Sequence, residues 1–183
     1  MPILIDMEQG NDLGYMIDSE EEPWGKLIGT RRGLQIWVNK YNADSIYVNV
    51  LDPAKLWRGK SNRPKIAMEL DLSRDGKAWH VDIVRTDRRY TGRNLAVRVY
   101  VLLMKKLSLQ MKAGTSQSIG GRKLWNRLNR HRDILVYARP NEKSTKITLV
   151  KSGKQQLSSS TIELYGNDKS AAGDAEILAY AIG

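Results

Sequence analysis

Cysteine is absent from the 183 residues, and so is phenylalanine. Without cysteine there is no disulfide framework, no thiolate nucleophile and no cysteine-based zinc or iron–sulfur centre. Histidine is scarce too. A transition-metal site would need both His80 and His131 together with carboxylates, and none is expected. No apolar run approaches the roughly 18 residues of a membrane span. The opening MPILIDMEQGND lacks the basic segment and long apolar stretch of a signal peptide. These absences lead us to expect a soluble, cytoplasmic protein of a reducing compartment, with no membrane partner. With Phe missing, five Trp, eight Tyr and six Met join Leu, Ile and Val in the core.

Charge is abundant and unevenly placed. The net charge is +10, yet residues 1–25 carry seven carboxylates and no Lys or Arg. Residues 85–132 hold thirteen Lys and Arg against the single acid Asp87. Such a block is where an anion should bind. An acidic arm beside a basic body also suggests self-capping, or contact between copies in a homo-oligomer.

Hydrophobic alternation places strands at residues 33–39, at 45–51 up to Asp52-Pro53, at 65–72 and at 78–85. The last two are joined by a hairpin signal at Asp75-Gly76. Residues 94–107 alternate at Val97, Val99 and Val101, but their length favours a buried helix. A short strand follows at 109–113. Ser118 reads as the N-cap of a helix to about Arg130, with Leu124, Trp125 and Leu128 on one side and Lys123, Arg127 and Arg130 on another. Further strands are expected at 133–138, at 146–150 and around 162–165.

The basic loop carries a recognisable spacing. Val84, Arg89, Gly92 and Asn94 fit V-x-x-x-x-R-x-x-G-x-G with Asn94 at the last glycine, and residues 118–128, SIGGRKLWNRL, fit N-x-x-A-x-x-L-Y-x-x-L. In these two segments the chain resembles the GNAT superfamily of N-acetyltransferases, and QSIGGRKLWNRL is similar to acetyltransferase-like proteins of tailed bacteriophages. The resemblance covers about residues 64–150. It implies an α+β fold in which helices pack on a mixed, mostly antiparallel central sheet, with terminal extensions. The chain would divide into an acidic arm (1–25), a GNAT-like domain (26–150) and a C-terminal appendage (151–183). It also implies acetyl-CoA as cofactor, its pyrophosphate held at Val84, Arg88, Arg89, Gly92, Arg93 and Asn94, with Gly92 allowing close backbone approach.

For the acid–base work, His80 and Asp82 lie two apart on one strand and are the catalytic candidates. The family's tyrosine falls at Trp125, whose indole only donates. Tyr90, Tyr100 and Tyr137 are the possible replacements. The family's two early helices have no counterpart, because residues 26–64 read mostly as strands.

Two functions follow from the resemblance. One is an acetyl-CoA-dependent N-acyltransferase acting on an amine of a macromolecule or small molecule. The alternative is a catalytically inactive protein of the same fold, associated with a virion and its proteins or with nucleic acid, and using Lys123, Arg127 and Arg130 as polyanion contacts. A phage-encoded chain would sit in the host cytoplasm or the virion. A nuclease or glycosidase built on Glu69 and Asp71, which share a strand face, has weaker support, since that spacing is common by chance.

Overall fold

The computed structural model describes residues 2–3, 25–56, 64–114, 118–140 and 175–182. The chain divides into two compact units. One, the strand-rich unit, comprises residues 2–73 and 82–95. The other, the helical unit, comprises residues 74–81 and those from 96 onward.

In the strand-rich unit, β1 (Pro2–Ile3), β2 (Lys26–Arg31), β3 (Leu34–Asn42), β4 (Ser45–Leu56), β5 (Pro64–Asp75) and β6 (Ala78–Thr86) form the sheet; the tips of β5 and β6 belong to the helical unit. Their order is β2-β3-β4-β5-β6. Neighbours from β2 to β5 are antiparallel, whereas β1 runs parallel to β6, with Pro2 opposite Val84 and Ile3 opposite Arg85.

Alternation in the sequence becomes two different sheet faces, since successive side chains point to opposite sides. Ile36, Val50 and Met68 form one cross-strand row and Val38, Val48 and Leu70 the next, all buried. Each such side chain contributes about 1.5–3 kcal/mol on burial. On the other face the rows are Trp37–Asn49–Glu69 and Asn39–Tyr47–Asp71, half-buried and largely polar. The β2–β3 connection is a two-residue turn with Arg32 at φ 51 and Gly33 at φ 80, the left-handed pair that suits the twist of a hairpin.

The expected end of β4 at Asp52-Pro53 is wrong: the strand runs on to Leu56. Its register with β5 shifts between Asp52 and Leu56, and Asp52 Oδ1 accepts the Ala54 N–H at 3.1 Å. That irregularity accommodates a proline that has no N–H for the ladder.

The helical unit contains α1 (Leu95–Leu107) from Ala96 on, β7 (Met111–Lys112), α2 (Ile119–Asn129), β8 (Ile134–Pro140) and β9 (Ala175–Ala181). β7 pairs in parallel with β6 at Trp79 and His80, then antiparallel with β9, which pairs antiparallel with β8. α1 is a helix despite its alternating valines. Val99, Tyr100, Leu103 and Met104, spaced three and four apart, are its buried stripe. α2 begins where the sequence placed it, with Ser118 Oγ accepting the Gly121 N–H at 3.1 Å. Its Leu124, Trp125 and Leu128 are buried, and α2 packs on β8.

The described residues thus form an α+β arrangement, a mixed and mostly antiparallel sheet with two helices. From β5 to β8 the order is strand, strand, loop, helix, strand, helix, strand, as expected. β9 was not foreseen: residues 175–181, within the stretch expected as an appendage, lie between β7 and β8. The expected strands at 146–150 and 162–165 fall outside the described residues. No helix among the described residues is long and apolar enough to cross a membrane.

Candidate active site

The loop leaving β6 is clamped from within. Asp87 is buried, and its backbone N–H donates to the Ala67 carbonyl at 3.0 Å, tying the loop start to β5. Its Oδ1 accepts the Arg89 N–H at 2.9 Å and Arg89 Nε at 3.2 Å, and its Oδ2 accepts Arg89 Nη2 at 3.1 Å. Lys65 Nζ, also buried, lies 3.4 Å from the same Oδ2. Asp87 therefore caps the short 3₁₀ turn Arg88–Tyr90 and joins it to two cations.

The next residue is clamped to β4. Buried Tyr90 donates its hydroxyl to Asp52 Oδ2 at 2.6 Å, while Lys55 Nζ sits 3.6 Å from that oxygen and 5.1 Å from the Tyr90 ring centre. Burial, then the bond to Asp52, pushes the Tyr90 hydroxyl well above its ordinary 10. Burial alone does the same to Tyr100. Neither phenol gives up its proton near neutral pH. Tyr137 is half-buried, and its hydroxyl oxygen accepts a hydrogen bond from Gln110 Nε2.

What the clamp holds in place is the turn into α1. Thr91 Oγ1 donates to the Arg88 carbonyl at 2.7 Å, and the chain then passes Gly92 at φ 75 and Asn94 at φ 55. Asn94 keeps the left-handed backbone that glycine would provide, as its short polar side chain permits. A Cβ built on Gly92 would meet no atom of the described residues within 4 Å, its chain neighbours aside, so among them the missing side chain leaves an open approach to the backbone. Arg88 and Arg93 flank it and are exposed. Arg89 differs from them, because its guanidinium is committed to Asp87.

A carboxylate group lies on the polar face of the same unit. Burial lifts Glu69 to about 7 from its ordinary 4.5; Arg85, whose Nη1 is 4.0 Å from Glu69 Oε2, opposes the rise and Asp71 adds to it. Asp71 is raised as well, by burial first and by Asp82, against the pull of Arg85. Asp82 is exposed and accepts the Ser73 hydroxyl at 3.0 Å. A carboxyl group with a pKa near 7 is poised to take a proton at neutral pH. Among the described residues, no three His, Asp or Glu are grouped to hold a metal ion.

Of the residues singled out in the sequence, Val84, Arg88, Arg89, Gly92, Arg93 and Asn94 come together on one stretch of the strand-rich unit. Val84 is buried and its backbone is opposite Pro2 of β1. His80 is half-buried in the part of β6 that pairs with Lys112, within the helical unit, whereas Asp82 belongs to the strand-rich unit. Trp125 is a buried core residue. Lys123, Arg127 and Arg130 are exposed on the helical unit.

The sequence reading missed the Lys65–Asp87 and Asp52–Tyr90 clamps. One signal was there: Asp87 is the sole acid among thirteen cations, a pattern that asks for a structural reason. Glu69 was visible as a strand-face carboxylate, but nothing in an E-x-D spacing reveals its burial.

No family model matches the chain, and no curated protein matches it. Among solved structures it is similar to a protein from Bacteroides thetaiotaomicron assigned to the GNAT family of acetyltransferases, at a TM-score of 0.35 and 10% identity over 73% of this chain. The match covers 61% of that protein. A likeness this distant says nothing of substrate or reaction.

Proposed function

We propose that this chain is an N-acyltransferase-like protein in which residues 87–94 hold the pyrophosphate of an acyl-coenzyme A and Glu69 receives a proton from the acceptor amine. The observation that carries the reading is the turn itself. Gly92 and Asn94 are both left-handed, the backbone is open at Gly92, and exposed Arg88 and Arg93 stand on either side. A pyrophosphate needs several N–H donors and positive charge, and a glycine turn running into a helix start offers both.

The residues fit the group in that respect. Gly92 would present its backbone N–H, Asn94 would hold the left-handed bend, Arg88 and Arg93 would add charge, and Asp87 with Lys65 would keep the loop in shape. When bound, the coenzyme supplies the acyl group as an activated thioester. Glu69 ionises near neutrality, so it would hold the proton that an ammonium must lose before the amine attacks. Arg85 would steady the resulting carboxylate. His80 and Asp82 are the alternative proton carriers; substituting each and comparing pH–rate profiles separates them from Glu69.

Isothermal titration with CoA and with acetyl-CoA tests the reading. Binding in the micromolar range that Gly92→Glu abolishes is expected. No heat at millimolar ligand overturns it.

A further inference from the structure

Among the described residues the strand order ends at β2, an edge for which the acyl-transfer reading has no use. We propose that this edge takes on an added strand, an extended acidic peptide of a partner protein that lengthens the sheet along Lys26–Arg31. This inference does not rest on the reading above.

Among the described residues β2 has one neighbour, β3, so its other side offers backbone N–H and C=O groups to a newcomer. The edge is already in strand form. Gly25 leads into it at φ 76, where a Cβ would lie 2.3 Å from the Val38 carbonyl oxygen, so the chain enters β2 pressed against β3. An edge held in place in this way loses little freedom when a peptide is added. Leu27, 41% exposed, gives the peptide an apolar contact.

Charge names the kind of peptide. Residues 25–43 contain Lys26, Arg31, Arg32 and Lys40 and no Asp or Glu. Lys26, Arg31 and Arg32 are exposed. A second copy fits poorly, because β2 laid antiparallel on its own full length puts Lys26 opposite Arg31, and like charges directly across a ladder repel. A lysine and a bulge are also devices that keep an edge from pairing with its own kind. β2 has both, its register with β3 passing from Leu27 to Gly29.

The bulge sets a spacing as well. Lys26 is opposite Val38 and Arg31 is opposite Leu34, so five positions on β2 match four on β3. Val38 and Leu34 point to one face, and Lys26 and Arg31 share it with them. An antiparallel newcomer that keeps the register of β3 meets Arg31 and Lys26 with residues four apart, and meets Leu27 with the residue just before the second of these. The matching pattern is an acid, two variable positions, an apolar residue and a second acid.

The test is fluorescence anisotropy of the whole protein with a labelled peptide, Thr-Glu-Thr-Val-Val-Glu-Thr. It is compared with the same peptide carrying Lys for both Glu, and with one carrying Pro for both Val. Successive N–H groups of a strand point to opposite sides, so the proline pair removes a ladder donor whichever way the peptide faces. The Glu peptide should bind saturably, and the Lys and Pro peptides should each bind at least about tenfold more weakly. Lys26→Glu with Arg31→Glu should reverse the preference between the Glu and Lys peptides, which a general loss of structure does not do. Lys77→Glu with Lys106→Glu makes the same change of charge at exposed positions of the helical unit, and should leave both affinities within about threefold of wild type at about 0.15 M salt. The three peptides test the wild-type protein whether or not either variant folds. No saturable binding up to about 1 mM Glu peptide, equal binding of the Pro or Lys peptide, or an unreversed preference in the folded Lys26→Glu, Arg31→Glu variant would each overturn the proposal. So would a dimer of the whole chain that this variant splits, since the edge would then belong to a second copy.

Discussion

In the strand-rich unit charge goes inside: Lys65, Asp52 and Asp87 are buried, and Glu69 is buried enough to hold its proton to about 7. In the helical unit charge stays outside. Lys105 and Lys112 meet carboxylates near the surface, and Lys123, Arg127 and Arg130 are exposed. Burying an ion costs several kcal/mol unless partners restore what water gave. A fold carries that cost where geometry must be fixed, and here the fixed object is the turn at residues 87–94. Exposed charge does the opposite: it stays adaptable, is screened by salt, and suits a partner of loose geometry. The contrast separates a loop held by buried ion pairs from a helix whose charges stay at the surface.

The largest expected effect is a direct attack on that contrast by one substitution made in each unit. Asp87→Ala removes the acceptor shared by Arg89 and Lys65 and should destabilise the protein by about 3–5 kcal/mol, the usual result of breaking a buried ion pair from one side. Asp75→Ala also removes a carboxylate from a lysine, but Asp75 is 55% exposed and Lys112 keeps Glu176. It should cost less than about 1 kcal/mol. Urea unfolding of both variants measures the difference. Similar losses would show that buried and surface charge do equal structural work here.

Next in size is a pH effect. In the folded protein Glu69 keeps its proton up to about 7, whereas the unfolded chain releases it near 4.5. Between those values the folded state binds the extra proton, so stability falls as pH rises and the loss is complete above about 7. The shift corresponds to on the order of 3 kcal/mol. Glu69→Gln removes that dependence, so the variant should gain on wild type as pH is raised, with the two closest at acid pH. If Glu69 is the base, the wild-type rate also rises through about 7 and the variant has no such step. Parallel stability curves for the two proteins would remove Glu69 from both roles.

The unequal legibility of the two units has the same cause. α2 and its cap could be read from local spacing, because the Ser118 cap, the apolar side of Leu124, Trp125 and Leu128 and the basic side all follow one helical period. The spacing of Arg89, Gly92 and Asn94 was visible in the same way. Asp52 and Tyr90, 38 residues apart, become partners only through strand pairing, and no local pattern announces that. Asp52-Pro53 looked like a strand end because proline usually is one; the register shift with β5 is a tertiary event. β9 was hidden for a different reason. Its apolar AEILAYA is short, and its place between β7 and β8 depends on partners distant in sequence.

The smallest effect concerns the acidic arm, and it shows which unit the arm acts on. Residues 1–25 contribute seven negative charges, and β1 places backbone along Val84 and Arg85, immediately before the clamped loop. Deleting residues 1–3 removes β1 and no acid. If β1 restricts what the loop holds, CoA affinity should rise about fivefold, the equivalent of about 1 kcal/mol, and the gain should survive in 1 M salt, where the Debye length is about 3 Å. Deleting residues 1–25 removes the carboxylates as well. If Lys123, Arg127 and Arg130 contact a polyanion, that longer deletion should raise affinity for duplex DNA by a similar factor at low salt only, because like charge repelling a polyanion is screened. A gain in CoA binding from the short deletion assigns the arm to the strand-rich unit through backbone pairing. A gain in duplex binding from the long deletion alone assigns it to the helical unit through charge. No change in either measurement would leave the arm with no influence on either unit.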